Sequence, residues 1–198
     1  MMGRWKVFGI LASFAVMSFA ARHFALETSQ DDLPVLFPMP AFELTDEQGQ
    51  AFSSHGLLGK VAIANFIFTS CPSVCPRLTD WMARVQHELA PQGDAIHLLS
   101  FSVDPKNDTP ARLKAFAARF QQDPRRWTFL TGDASDVERA VEQGFKIGMG
   151  PGPKDAFDIV HGEHFVLVDG SGQIRGYYQP KPESIAALIH DAKRLVNP

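Results

Sequence analysis

Unbroken apolar runs along the chain are separated by segments in which apolar residues recur at helical spacing. Val61 to Phe68 (VAIANFIF) is a nearly continuous apolar run, the mark of a strand buried on both faces, and Leu98 to Val103 is a second. Leu78, Met82, Val85 and Leu89 recur at steps of four, three and four, the stripe of an amphipathic helix. Leu113, Phe116, Ala117 and Phe120 make another stripe, opened by Asp108-Thr109-Pro110 as cap and first turn. Trp127 to Leu130 reads as a strand, Ser135 to Gln143 as a helix, and Ile185, Leu188, Ile189, Ala192 and Leu195 as a closing helix. Two hairpins are expected. Phe42-Glu43-Leu44 and Ala51-Phe52 flank Asp46-Glu47-Gln48-Gly49, while Phe165 to Val168 and Ile174 to Tyr178 flank Asp169-Gly170-Ser171-Gly172. Strand, helix, strand, helix, then hairpin and helix predicts an α/β domain over residues 41–198, a mixed sheet with helices on both faces. Residues 146–160 (KIGMGPGPKDAFDIV) fit no period and read as a surface loop. Residues 27–40 (ETSQDDLPVLFPMP), acidic and proline-rich, read as a linker.

The N-terminus carries a different pattern. Arg4 and Lys6 precede the uncharged run Val7 to Ala21, which ends in small residues. Residues 1–26 therefore read as a secretory signal peptide or a membrane anchor. The run is short for a span, which needs about 20 apolar residues; Trp5 and His23 to Leu26 would lengthen it, and Arg22 interrupts. Either reading keeps the positive residues in the cytoplasm and sends the body to the periplasmic side of the cytoplasmic membrane, anchored or soluble after cleavage. Cysteine pairs face oxidation there. Composition agrees with a globular body: 198 residues, 45% hydrophobic and 21% charged, which excludes a coiled coil, a collagen-like repeat and a wholly disordered chain. Net charge is −3, and Arg4, Lys6 and Arg22 lie in an acid-free stretch, so the body is more acidic still. That speaks against a nucleic-acid partner.

Two cysteines are too few for a disulfide scaffold, so their placement matters. Cys71 and Cys75 stand in Thr69-Ser70-Cys71-Pro72-Ser73-Val74-Cys75-Pro76, directly after the first buried strand and leading into the Leu78 helix. In open α/β sheets, active sites gather at this strand-to-helix turn. Pro76 suits a first helical turn, and thiols beside a helix N-terminus ionise more readily. The i, i+4 spacing lets two thiolates converge on one ion or join as a disulfide. A purely structural bridge over so few residues would stabilise little, and core thiols seldom lie between two prolines at the mouth of a sheet. With no second cysteine pair, four-cysteine zinc is excluded. Histidine is the natural supplement. Of seven, His87 and His190 read as surface residues, and His23, His55 and His97 lack a supporting pattern. His161 and His164 stand just before the Phe165 strand, where a residue can fold over the cysteine turn. Two soft sulfurs with an imidazole favour copper, with zinc the alternative.

Four segments, in order, make the chain familiar: FIFTSCPSVCP (Phe66 to Pro76), SVDPKNDTP (Ser102 to Pro110), WTFLTG (Trp127 to Gly132) and the stretch from His161 to Gly172. Together they resemble the Sco/SenC family, over roughly residues 38–198. The resemblance implies a thioredoxin-like fold that binds copper, Cu(I) or Cu(II), through two cysteines and one histidine. It also implies work on the binuclear copper centre of cytochrome c oxidase, as copper donor, thiol reductant or both. Carried over residue by residue, Cys71 and Cys75 are the redox-active pair and, with His161, the metal ligands. His161 is preferred to His164 by counting back from Leu167-Val168. Two features depart from the family: Gly162 follows the histidine where Ser or Thr is common, and the loop carries the run GMGPGP. Asp104 reads equally as a residue supporting the metal site or as a turn residue before Pro105.

On this reading the protein transfers copper rather than turning over a substrate. Its partners would be the copper-centre subunit of the oxidase and an upstream copper donor or thiol reductase. The rival is an exported thiol–disulfide oxidoreductase without copper delivery, Cys71 attacking and Cys75 resolving. Against it stands the three-residue gap, where thioredoxin-type enzymes have two. A peroxide-reducing enzyme acting through Cys71 is the third reading, and such a thiol needs cationic activation.

Overall fold

The two longest apolar runs lie side by side at the centre of an eight-stranded sheet. The computed structural model describes residues 33–72, 74–151 and 159–196, without the side chains at 150–151 and 159–161. Its strands are β1 (Phe37–Pro38), β2 (Glu43–Asp46), β3 (Ala51–Ser53), β4 (Val61–Ile67), β5 (Ile96–Ser102), β6 (Trp127–Thr131), β7 (Met149–Pro151), β8 (Ile159–His161), β9 (Phe165–Val168) and β10 (Gln173–Tyr178). The helices are α1 (Val74–Glu88), α2 (Pro110–Ala118), α3 (Ala134–Glu138), which continues as a π-helical turn over Arg139–Gly144, and α4 (Pro182–Val196). The large sheet runs β1-β10-β9-β4-β5-β6-β2-β3, and β7 and β8 form a separate ribbon. Strands β4, β5 and β6 are parallel, and β9 joins β4 antiparallel. Every residue of β4 is buried, as its unbroken apolar run requires.

Side chains alternate across the sheet, and the phenylalanines are sorted accordingly. On one face Phe66, Phe101 and Phe145 form a triangle with ring centroids 5.2–5.6 Å apart, and Phe42 packs edge-on to Phe101 at 5.2 Å. Phe145 ends the π-helical turn, so that turn covers this face. On the other, Trp127 stacks on Phe129, which meets Phe116 of α2 edge-on. On that same face Ser100 donates to Asn65 Oδ1 (2.7 Å) and accepts from the Trp127 indole (2.9 Å). Helix α2 starts as its sequence directs: the Thr109 hydroxyl accepts from the Arg112 N–H, with Pro110 in the first turn.

Three segments differ from expectation. The stretch 146–160 is not a plain loop: Met149 pairs with His161, Gly150 with Val160 and Pro151 with Ile159. Its glycines and prolines hide the pairing, because ribbon strands of three residues are too short to show a period. In the 27–40 stretch, Phe37–Pro38 pairs with β10, and the N–H groups of Leu36 and Met39 donate to Ile174 and Gly172. Residues 1–32, with the expected signal or anchor and His23, lie outside the described residues. Finally, the helix over Ser135–Gln143 widens into the π turn, closed by the Phe145 N–H on the Ala140 carbonyl.

Candidate metal centre

The site begins where β4 ends. The Val103 N–H donates to the Ile67 carbonyl at 2.9 Å, extending the parallel pair one step beyond the strands. The chain then turns through Phe68, Thr69 and Ser70. The Cys71 N–H donates to the Phe68 carbonyl (3.3 Å), and Cys75 enters the first turn of α1. The Cys75 N–H points at Cys71 Sγ, and the Phe68 N–H at Cys75 Sγ, each at 3.4 Å. One turn thus orients both sulfurs with backbone donors. No disulfide joins the two; Cys71 is 8% exposed and Cys75 fully buried.

Burial changes the expected acidity of Cys75. Loss of water pushes its thiol well above the usual range, and the Cys71 thiol and the Asp108 carboxylate add to the rise, while the Phe68 N–H opposes it. For this residue the helix N-terminus does not win. Cys75 is held protonated until something displaces the proton.

Asp108 is the site residue that sequence reasoning passed over. Its fully buried carboxylate accepts from the Thr69 N–H (3.0 Å), the Thr69 hydroxyl and the Ser102 hydroxyl (2.7 Å). It therefore ties the cysteine turn to the end of β5. In the sequence it looked like part of the helix cap, although Thr109 alone provides that. Asp104 takes the turn role: its carboxylate accepts from Asn107 Nδ2 at 2.9–3.0 Å, and its N–H donates to Ser102 Oγ.

The histidines sort clearly. His87 and His190 are exposed on their helices, and His55 lies beside Ser53 at a short helical turn. His97 is a core-side histidine, its Nε2 2.9 Å from the Thr128 hydroxyl. His164 is half-buried with its ring edge-on to Tyr177 at 6.4 Å, and the Tyr177 hydroxyl donates to the Phe145 carbonyl at 2.8 Å. His161 ends β8 opposite Met149; its side chain lies outside the described residues. Gly162 follows because space is short: a Cβ there would sit 3.1 Å from Ile147 Cγ2. Among the described residues, no three His, Cys, Asp or Glu side chains gather closely enough to hold a metal ion. The described donors are the two sulfurs.

Comparison with known proteins puts this geometry in company. A family model described as SCO1/SenC matches residues 36–197. The SCO1 protein homolog of Bacillus subtilis is 34% identical over 142 residues, covering 71% of this chain and 73% of its own. The structure of Bradyrhizobium japonicum ScoI with copper bound superposes with a TM-score of 0.70 at 26% identity, covering 81% of this chain and 99% of that one. A structure of BsSco, described as having a disulfide switch and as a member of the Sco family of cytochrome c oxidase assembly proteins, gives 0.73 at 31% identity and covers 84% and 97%. The mixed sheet with flanking helices is the thioredoxin-like fold of these structures.

Proposed function

The chain belongs to the SCO1/SenC family, and from that premise we propose that it binds copper through Cys71, Cys75 and His161 and serves the assembly of the binuclear copper centre of cytochrome c oxidase. The observation that carries the proposal is the cysteine turn, in which two neighbouring sulfurs each accept from a backbone N–H group of the same turn. Two thiolates suit soft copper(I), and an added imidazole extends the site to copper(II). Copper is cargo here, held and passed on. Because Cys75 is protonated at neutral pH, loading releases its proton. Cys71, the more exposed sulfur, is the one a partner's thiolate replaces first, with Cys75 following. The partner is the copper-centre subunit of the oxidase, and an upstream copper donor or thiol reductase resets the site.

Export belongs to the same proposal. Arg4, Lys6 and the Val7 to Ala21 run support a signal or anchor with the body on the periplasmic side of the cytoplasmic membrane. Among the described residues, no helix is long and apolar enough to cross a membrane.

The closeness of the two cysteines, which no disulfide joins, also favours a second reading, reduction of a partner disulfide. Cys71 as thiolate would attack one partner sulfur, releasing the other as a thiolate and leaving a mixed disulfide. Cys75 would then lose its proton and attack Cys71 Sγ, releasing the partner's remaining thiolate and closing the Cys71–Cys75 bond. Titration of the reduced full-length protein with copper(I) distinguishes the two. The expected result is a single tightly bound ion per chain, lost in Cys71→Ser and in Cys75→Ser and absent after oxidation to the disulfide. Oxidised protein that bound copper as well as reduced protein would exclude thiolate ligation. Disulfide turnover without copper uptake would establish the rival.

A further inference from the structure

The β7–β8 ribbon that carries His161 is held at its base by the π-helical turn. The Ile147 N–H donates to the Val141 carbonyl (3.1 Å), and the Lys146 ammonium donates to the Gln143 carbonyl (2.5 Å). Lys146 itself has φ +58°, so the chain leaves the helix through a left-handed residue. One further contact reaches the strand. The half-buried Glu142 places Oε1 2.9 Å from the Met149 N–H.

The ladder explains why that N–H is available. The Gly162 N–H donates to the Gly148 carbonyl at 3.1 Å, which makes Gly148 and Gly162 a hydrogen-bonded pair. Bonded and non-bonded pairs alternate along an antiparallel ladder, so Met149 and His161, the next pair, is a non-bonded one. At such a pair the N–H points away from the partner strand, and the facing Cα atoms stand only about 4.5 Å apart. The carboxylate therefore grips the outer edge of β7 at the residue directly opposite His161.

We propose that Glu142 is a positioning residue for His161: by binding the Met149 N–H it fixes the register partner of the histidine and so the frequency with which the ribbon presents that imidazole to copper held by Cys71 and Cys75. The inference rests on His161 being the third ligand. Glu142 acts through Met149, and its loss affects the imidazole-dependent state alone. Copper(II) needs the imidazole, whereas two thiolates hold copper(I) without it.

The test uses the full-length reduced protein with Glu142→Ala, Glu142→Gln and His161→Ala, read by copper(II) and copper(I) affinity, the thiolate-to-copper(II) absorption and amide exchange at Met149. In Glu142→Ala, exchange at Met149 should accelerate and copper(II) affinity should fall by about tenfold, the effect of one charge-assisted hydrogen bond carried partly into binding. Copper(I) affinity should not change, which also shows that the cysteine turn remains folded. Glu142→Gln keeps an oxygen acceptor and should restore most of the copper(II) affinity. Unchanged copper(II) binding in Glu142→Ala beside a clear loss in His161→Ala would overturn the positioning role alone. Equal losses for both copper states, or no rescue by Gln, would overturn it as well. An unchanged copper(II) spectrum in His161→Ala would overturn the ligand assignment and this inference with it.

Discussion

Residue by residue, the cysteine turn is held by the hydrogen bonds that Thr69 and the two cysteines make. The buried Asp108 carboxylate takes three donors, two of them from Thr69, so the loop between β4 and α1 is held from the side as well as from its ends. Asp104 and Asn107 close the neighbouring turn. The two histidines before β9 differ in the same concrete way. His164 already has a packing partner in Tyr177, whereas His161 ends the ribbon. His161→Ala is expected to weaken copper(II) binding severely and change the thiolate-to-copper absorption, with copper(I) affected less. His164→Ala should leave both states nearly unaltered. Titrations followed by absorption check this, and a normal copper(II) spectrum in His161→Ala with a lost one in His164→Ala would reverse the assignment.

Among the elements, the π-helical turn has the most work to do. It covers the Phe66–Phe101 face through Phe145, supports the His161 ribbon through Glu142, and is crossed by the segment leading out of β1. That crossing needs a glycine. A Cβ on Gly144 would lie 2.2 Å from Pro40 Cβ and Cγ, so the proline ring or the turn must move. Gly144→Ala is expected to destabilise the protein by about 1–3 kcal/mol, the usual cost of overpacking. Gly148, four residues on, has open space around its would-be Cβ, and Gly148→Ala serves as the control that should shift the denaturant midpoint little. Equal midpoints for the two variants would mean that Pro40 gives way freely and that the crossing is not tight.

At the level of the whole molecule, a half-buried imidazole makes stability depend on pH. His97 packs beside Phe52 and Thr128, and burial, aided by Lys60, lowers its pKa to about 4 from an ordinary value near 6.5. The unfolded chain therefore takes up the proton first. The contribution of neutral His97 is complete above pH 6.5 and is lost as pH falls towards 4. The loss should be on the order of 2 kcal/mol, since the ring keeps some contact with water. Denaturant midpoints measured from pH 7 to pH 4 should fall for the native protein and flatten in His97→Gln, which keeps a group able to bond Thr128 but cannot titrate here. Parallel curves would put the pH dependence elsewhere.

Much of this architecture was readable from local pattern. The unbroken run at Val61 to Phe68 and the stripe from Leu78 to Leu89 announced β4 and α1, because burial on two faces or on one leaves its own period in the residues concerned. Cys71 and Cys75 stand where one period ends and the other begins, which is the junction of β4 and α1. Long-range pairing left no such trace. Asp108 meets Thr69 across 39 residues only because β4 and β5 lie parallel with Ile67 opposite Ser102. The ribbon pairing of Met149 with His161, and the hold of Glu142 upon it, depend on three-residue strands set among glycines and prolines. The protonated state of Cys75 likewise follows from packing, since a thiol at a helix start is acidic in water and the reverse once the fold has closed over it. Periodicity records how much of a residue is covered; which distant group covers it is decided when the strands find their register.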